Sequence, residues 1–118
     1  MLGARYGLYD VTDWKQAFYC DVIIDSWTDC LNKTSAILLN QDSVEEKMAA
    51  MDSVIEKVHT PHLNCMENQL GDGRTYIAGN KLTIADCCQT ALLTDIWENT
   101  QSPFKDKFAD LLAKYPKV

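Results

Sequence analysis

The sequence predicts an all-α domain, a helical bundle of about four helices in which a long antiparallel pair packs around a buried central helix. Three observations predict it. Apolar residues recur at three- and four-residue steps over two long stretches, each stretch is bounded by capping or turn residues, and no segment reads as a clear strand. With 118 residues, 47% of them hydrophobic and 24% charged, the chain is large enough to bury one core and has a globular composition.

Residues 1–10 are punctuated by Gly3 and Gly7 and read as irregular after a first turn. Thr12 or Asp13 caps the first long helix, its side-chain oxygen accepting an amide proton that the first turn leaves free. Neither Pro nor Gly occurs between Trp14 and Leu39. Cys20, Ile23, Ile24, Trp27, Leu31, Thr34 and Leu38 give this stretch an apolar face at helical period. Such a helix is roughly 39 Å long at 1.5 Å per residue.

Asn40-Gln41-Asp42-Ser43 breaks it, and Asp42 or Ser43 caps the next helix. Glu45 and Glu46 lie in its first turn, where the helix dipole favours carboxylates. Val44, Met48, Met51, Ile55, Val58, His62, Cys65 and Gln69 step alternately by four and three, a stripe suited to an antiparallel partner. Pro61 removes the hydrogen bond to residue 57. The stripe resumes beyond it, so a bend is expected rather than an end. Gly71-Asp72-Gly73 then turns the chain.

Leu82-Thr83-Ile84-Ala85-Asp86 opens the third helix. Thr83 is its N-cap, Asp86 at the third helical position caps reciprocally, and Leu82 staples onto Cys87. This helix is expected from Ile84 to about Asn99. A fourth runs from about Pro103 to Lys114, ended by Tyr115-Pro116.

The net charge of −6 argues against nucleic acid, whose phosphates need clustered Lys and Arg. Lys105, Lys107, Lys114 and Lys117 sit among Asp106 and Asp110 and read as a solvated helix surface. No apolar run is long enough for a leader or a membrane span. Five cysteines without C-x-x-C spacing read as small core residues of a reduced, cytoplasmic protein. None has a basic neighbour that would make it a catalytic thiol, so no catalytic residue is expected. His59, His62 and Cys65 step by three, but Pro61 distorts their face and a fourth ligand is lacking, so no metal is expected. Asp21, Asp25 and Asp29 step by four along one stripe and read as solvated, the alternative being a cation or a basic partner helix at a dimer seam. Trp14, Phe18 and Trp27 read as bundle packing, with a dimer partner as the alternative for Trp14 or Phe18.

Gly79-Asn80-Lys81-Leu82-Thr83-Ile84-Ala85-Asp86 resembles the G-x-x-(L/V)-(S/T)-x-A-D signature that opens the central helix of the glutathione S-transferase C-terminal domain. Tyr19 to Asp29 resembles the V-D-x-I-x-D-x-x-x-D start of the first long helix in sigma-, alpha- and pi-like members. Thr60-Pro61-His62-Leu63, a spacer and Gly71-Asp72-Gly73 resemble the second helix and its exit in sigma-class members. Gly3 to Tyr9 looks like the end of a thioredoxin-like domain and its linker. The resemblance covers nearly the whole chain.

It implies that residues 1–10 are a linker remnant and 11–118 the helical domain, without the thioredoxin-like domain that activates the glutathione thiol and without the last helices. The complete form would be a cytoplasmic, sigma-like dimer in detoxification, conjugating glutathione to hydrophobic electrophiles or isomerising a prostaglandin-type peroxide. This chain would be its substrate-pocket and dimerisation half, inactive alone. Leu82, Thr83 and Asp86 would form a structural capping box. Asp29 aligns with the carboxylate that reaches across the dimer to the γ-glutamyl ammonium of glutathione. Thr34, Ala36, Ile37 and Leu38 would wall the electrophile pocket. The alternative is a non-catalytic interaction or scaffold module, docking to a thioredoxin-like domain or within a larger complex, since the same helical domain is reused in translation factors and multi-subunit assemblies.

Overall fold

The computed structural model describes residues 2–40 and 42–118, and the predicted break at Asn40-Gln41 therefore lies partly outside the described residues. Five helices are present among them: a single turn α1 (Leu2–Arg5), the long α2 (Trp14–Leu39), α3, α4 and α5 (Lys105–Leu112). Helix α3 is composite, running through Val44–Val54, Ile55–His59 and Thr60–Leu70 without a break, and α4 joins Ile84–Leu92 to Leu93–Trp97. The expected α4 and α5 ends at Asn99 and Lys114 are too generous by about a half-turn. No strand occurs among the described residues, only an isolated bridge between Tyr76 and Gly79. No helix there is long and apolar enough to cross a membrane.

Asp13 caps α2, its Oδ1 accepting from the Gln16 amide at 3.0 Å. The buried positions of α2 are Gln16, Cys20, Ile23, Cys30, Thr34 and Ile37, steps that fit a heptad. The predicted face is thus displaced at its end: Leu38 is exposed, and Ile37 beside it enters the core. Adjacent apolar residues at 23–24 and 37–39 hide the phase of the stripe, and a polar Gln16 conceals its start. Trp27 packs against the core, whereas Trp14 and Phe18 do not and lie exposed.

Ser43 and Glu46 form a capping box at the start of α3: the Ser43 amide donates to Glu46 Oε2 at 2.9 Å and the Glu46 amide to Ser43 Oγ at 3.3 Å. Replacing Ser43 by Ala is expected to cost about 1 kcal/mol, read as faster amide exchange over residues 44–47 and a lower urea midpoint. Pro61 does not bend α3 by breaking it. The turn just before it, Ile55–His59, widens into a π-helix, with the Thr60 amide bonded back to Ile55 O, which makes room for a ring that would clash in a regular α-turn. One extra residue per turn shifts the buried positions. Beyond Met51 they are His59, His62, Leu63 and Met66, in place of Val58, Cys65 and Gln69 of the predicted stripe.

Thr34 faces His59 and Ser26 faces His62, so residue numbers fall along α2 as they rise along α3: the pair is antiparallel. Helix α4 packs into it, with Gln89 on His62 and Trp97 on His59. Two apolar clusters result. One gathers Cys30, Ile37, Met51, Leu63, Leu92 and Trp97 and is closed by Phe104, Phe108 and Leu111 at α5; the other gathers Cys20, Ile23, Met66, Ile77, Ala78 and Ala85. Residues 2–10 lie over the start of α4, where Leu8 O accepts from the Ile84 amide at 3.0 Å, Tyr9 OH donates to Asp21, and Lys81 pairs with Asp10.

Candidate functional site

At the head of α4 the Asp86 carboxylate gathers three donors. Its Oδ2 accepts from the Thr83 amide and hydroxyl, each at 2.8 Å, and its Oδ1 from the Ile77 amide at 2.9 Å. It therefore fastens both the helix start and the connector preceding it, which suits a carboxylate at the positive end of a helix. Thr83 is fully buried, with Cys20 and Ala85 in the adjoining cluster also at 0% exposure. Gly79 has φ +151°, a backbone conformation that favours glycine, and a Cβ there would stand 3.0 Å from Gln16 Nε2, so that side chain would have to give way. Leu82 and Cys87 are each largely exposed, so the carboxylate supplies the cap's strength and the staple adds little.

Two histidines stack a polar spine through the centre of the bundle. Trp97 Nε1 donates to His59 Nδ1 at 3.0 Å, and since indole can only donate, the neutral ring carries its proton on Nε2 and gives it to Thr34 Oγ1 at 2.9 Å. His62 Nε2 donates to Gln89 Oε1 at 2.8 Å, and Ser26 Oγ lies 2.8 Å from Nδ1. Burial first, then the neighbouring His62, lowers the pKa of His59 to about 4; burial likewise lowers His62. All four ring nitrogens are engaged in the packing of three helices, so these residues hold the core together. Sequence reasoning missed Trp97 altogether and His59 as a core residue. A spacing of two turns or more between their elements left no local signal.

The residues singled out from the sequence do not share one wall. Thr34 and Ile37 are buried, Thr34 being bonded to His59, while Ala36 and Leu38 face outward. Asp29 is exposed on α2 and has no ion pair among the described residues. Asp21 and Asp25 are exposed beside it, Asp21 accepting from Tyr9. On the same helix Trp14, Phe18 and Val22, four residues apart, are 77%, 57% and 38% exposed; Tyr6 and Val11, in the segment before it, are 68% and 66% exposed. Large exposed apolar side chains at helical spacing favour burial against a partner.

All five cysteines are free. Burial, and then the Asp29 carboxylate, push the Cys30 thiol up to about 12, and burial raises Cys20 and Cys88. A raised thiol is the opposite of what nucleophilic sulfur chemistry needs. Among the described residues no group of three His, Cys, Asp or Glu side chains is arranged to hold a metal ion. Two open cavities stand out among the described residues. One of about 370 Å³ lies between the second half of α3, the connector and α4; the other, of about 620 Å³, lies beside Gln16, Tyr19 and Gly79. Neither is lined by Asp29 or by residues 34–38.

Among families of known proteins, the one described as "Glutathione S-transferase, C-terminal domain" matches residues 28–118. No curated protein and no solved structure matches the chain.

Proposed function

This chain belongs to the glutathione S-transferase C-terminal domain family, and we propose that it is the helical half of a sigma-like glutathione transferase, which docks a thioredoxin-like domain and a second subunit while they conjugate glutathione to a hydrophobic electrophile in the cytoplasm. The observation that carries this reading is the exposed stripe Trp14, Phe18 and Val22 with Asp21, Asp25 and Asp29 beside it. Large apolar side chains at helical spacing favour burial against a partner, and an unpaired carboxylate at its margin suits an ammonium presented by that partner's ligand. Asp29 takes that role. The group that stabilises the glutathione thiolate comes, on this reading, from the docked domain. Of the electrophile wall, Ala36 and Leu38 remain available.

The test compares the chain alone with the chain mixed with a thioredoxin-like domain of the family, scoring retention on immobilised glutathione and conjugation of a chromogenic electrophile. The chain alone is expected to do neither, and the mixture both. Asp29→Asn should raise the apparent KM for glutathione about tenfold, the loss of about one charge-assisted contact, and leave kcat within twofold. Conjugation by the chain alone would overturn the reading.

One observation favours a second reading, a non-catalytic interaction or scaffold module: Thr34 and Ile37 are locked into the core and leave little helical surface for an electrophile. Binding of the thioredoxin-like domain without conjugation would favour it.

A further inference from the structure

The cavity of about 620 Å³ is bounded by the start of α2 and by the connector that leads to α4, and five charged side chains line it. Three of them are already neutralised: Arg74 pairs with Asp72, and Lys81 pairs with Asp10. Two charges are left over, one of each sign. The Lys15 ammonium has no carboxylate partner among the described residues. The Asp13 carboxylate uses Oδ1 to accept from the Gln16 amide and leaves Oδ2 open. Asp13 and Lys15 are two residues apart at the head of one helix, roughly 3 Å along its axis at 1.5 Å per residue, so both reach the same small molecule. Beside them stands the Gln16 side chain. It is only 7% exposed, its Oε1 has no partner, and its Nε2 lies against Gly79 without a hydrogen bond among the described residues.

A buried carboxamide bonded at neither end costs free energy until a donor and an acceptor arrive. No bond fixes its last torsion, so it can turn both atoms to the cavity. A simple anion would meet the open oxygen of Asp13, and a simple cation would meet Lys15. An ammonium and a carboxylate on one carbon satisfy the two charges together, and the Gln16 carboxamide accepts from the first and donates to the second. Tyr19 and Ala78 supply wall for a side chain. The volume lies within the range of small-molecule sites, about 300–1,000 Å³. We propose that this cavity binds a free α-amino acid, its ammonium on Asp13, its carboxylate on Lys15, Gln16 bridging the two, and its side chain against Tyr19 and Ala78.

The experiment titrates the protein with L-phenylalanine, with phenethylamine, which lacks the carboxylate, and with 3-phenylpropionate, which lacks the ammonium. Binding is followed by the NMR shifts of the backbone and of the Gln16 side-chain amide. L-Phenylalanine is expected to bind and to move the Gln16 amide together with residues 13–19 and 74–81, and each analogue to bind at least about tenfold more weakly. Asp13→Asn, which keeps a capping oxygen for α2, should weaken L-phenylalanine about tenfold and not weaken 3-phenylpropionate. Lys15→Gln should weaken it about as much and not weaken phenethylamine. An analogue that binds as well as the amino acid would overturn the proposal, as would binding indifferent to either substitution, an unmoved Gln16 amide, or no binding of L-phenylalanine. Because none of these readouts involves glutathione or a second domain, their failure leaves the proposed transferase role intact.

Discussion

Replacing Asp86 by Ala is expected to destabilise the domain by about 3 kcal/mol or more. The carboxylate accepts from the Thr83 amide, the Thr83 hydroxyl and the Ile77 amide. Truncation leaves these donors without acceptors, and each stranded buried donor costs about 1–3 kcal/mol. Loss of a negative charge at the first turn of α4 adds about 0.3–1 kcal/mol. Thr83 is fully buried, so water does not substitute freely. In a domain whose total stability is about 5–15 kcal/mol, such a loss threatens folding outright. Asp86→Asn keeps the shape and one acceptor oxygen and should recover about half of it. Urea unfolding of the three proteins at pH 7 checks this; an Ala variant within 1 kcal/mol of the parent would show that the box is dispensable.

The second large effect is on acid stability. His59 has its pKa lowered from the ordinary 6.5 to about 4, by burial and then by His62. The unfolded chain therefore binds a proton at His59 between those values while the folded chain does not. Its contribution is full above pH 6.5, falls as pH drops from 6.5 towards 4, and levels off below. The size for this one group is on the order of 3 kcal/mol. His62, lowered in the same direction, steepens the fall. Protonated His59 would also turn an N–H towards the Trp97 indole N–H, which cannot accept it. Unfolding free energies measured from pH 7.5 to 4.5 should decline through this window, and His59→Gln, though less stable, should show a flatter decline. A parent protein equally stable at pH 7 and 5 would refute the assignment.

Much of this fold was legible because its determinants are local. Asp13, Ser43 and Thr83 each announce a helix start within four residues of sequence, and the structure begins α2, α3 and α4 at Trp14, Val44 and Ile84. The antiparallel pairing followed from a short connection between two long periodic stretches. What the sequence concealed is tertiary. The stripe on α3 was read straight through Pro61, whereas the π-turn at Ile55–His59 displaces it, and nothing in the residues Ile55-Glu56-Lys57-Val58-His59 marks a wide turn. His59 and Trp97, 38 positions apart, meet only after folding. For the same reason Trp14 and Phe18 read as core: they are as apolar as Trp27, and only the packed bundle separates a face that is covered from one left open. Asp29 is exposed and Leu38 points away from the core, but what either touches is decided by a partner surface that periodicity does not encode.

Helices α3 and α4 each contain one π-turn, and the last residue of each, His59 and Trp97, joins the other across the core. Each turn holds one residue more than ordinary winding would. In α3 the buried positions His59, Leu63 and Met66 stand one place later than an uninterrupted helix through Met51 and Ile55 would put them. Removing one codon from Ile55–His59 would therefore restore ordinary winding and leave the downstream face turned to the core, whereas removing one elsewhere in either helix would swing everything beyond it by about 100° around its axis. Single-residue deletions in descendants of this gene are accordingly expected at the connectors or within the two wide turns, and not in the ordinarily wound parts of the helices.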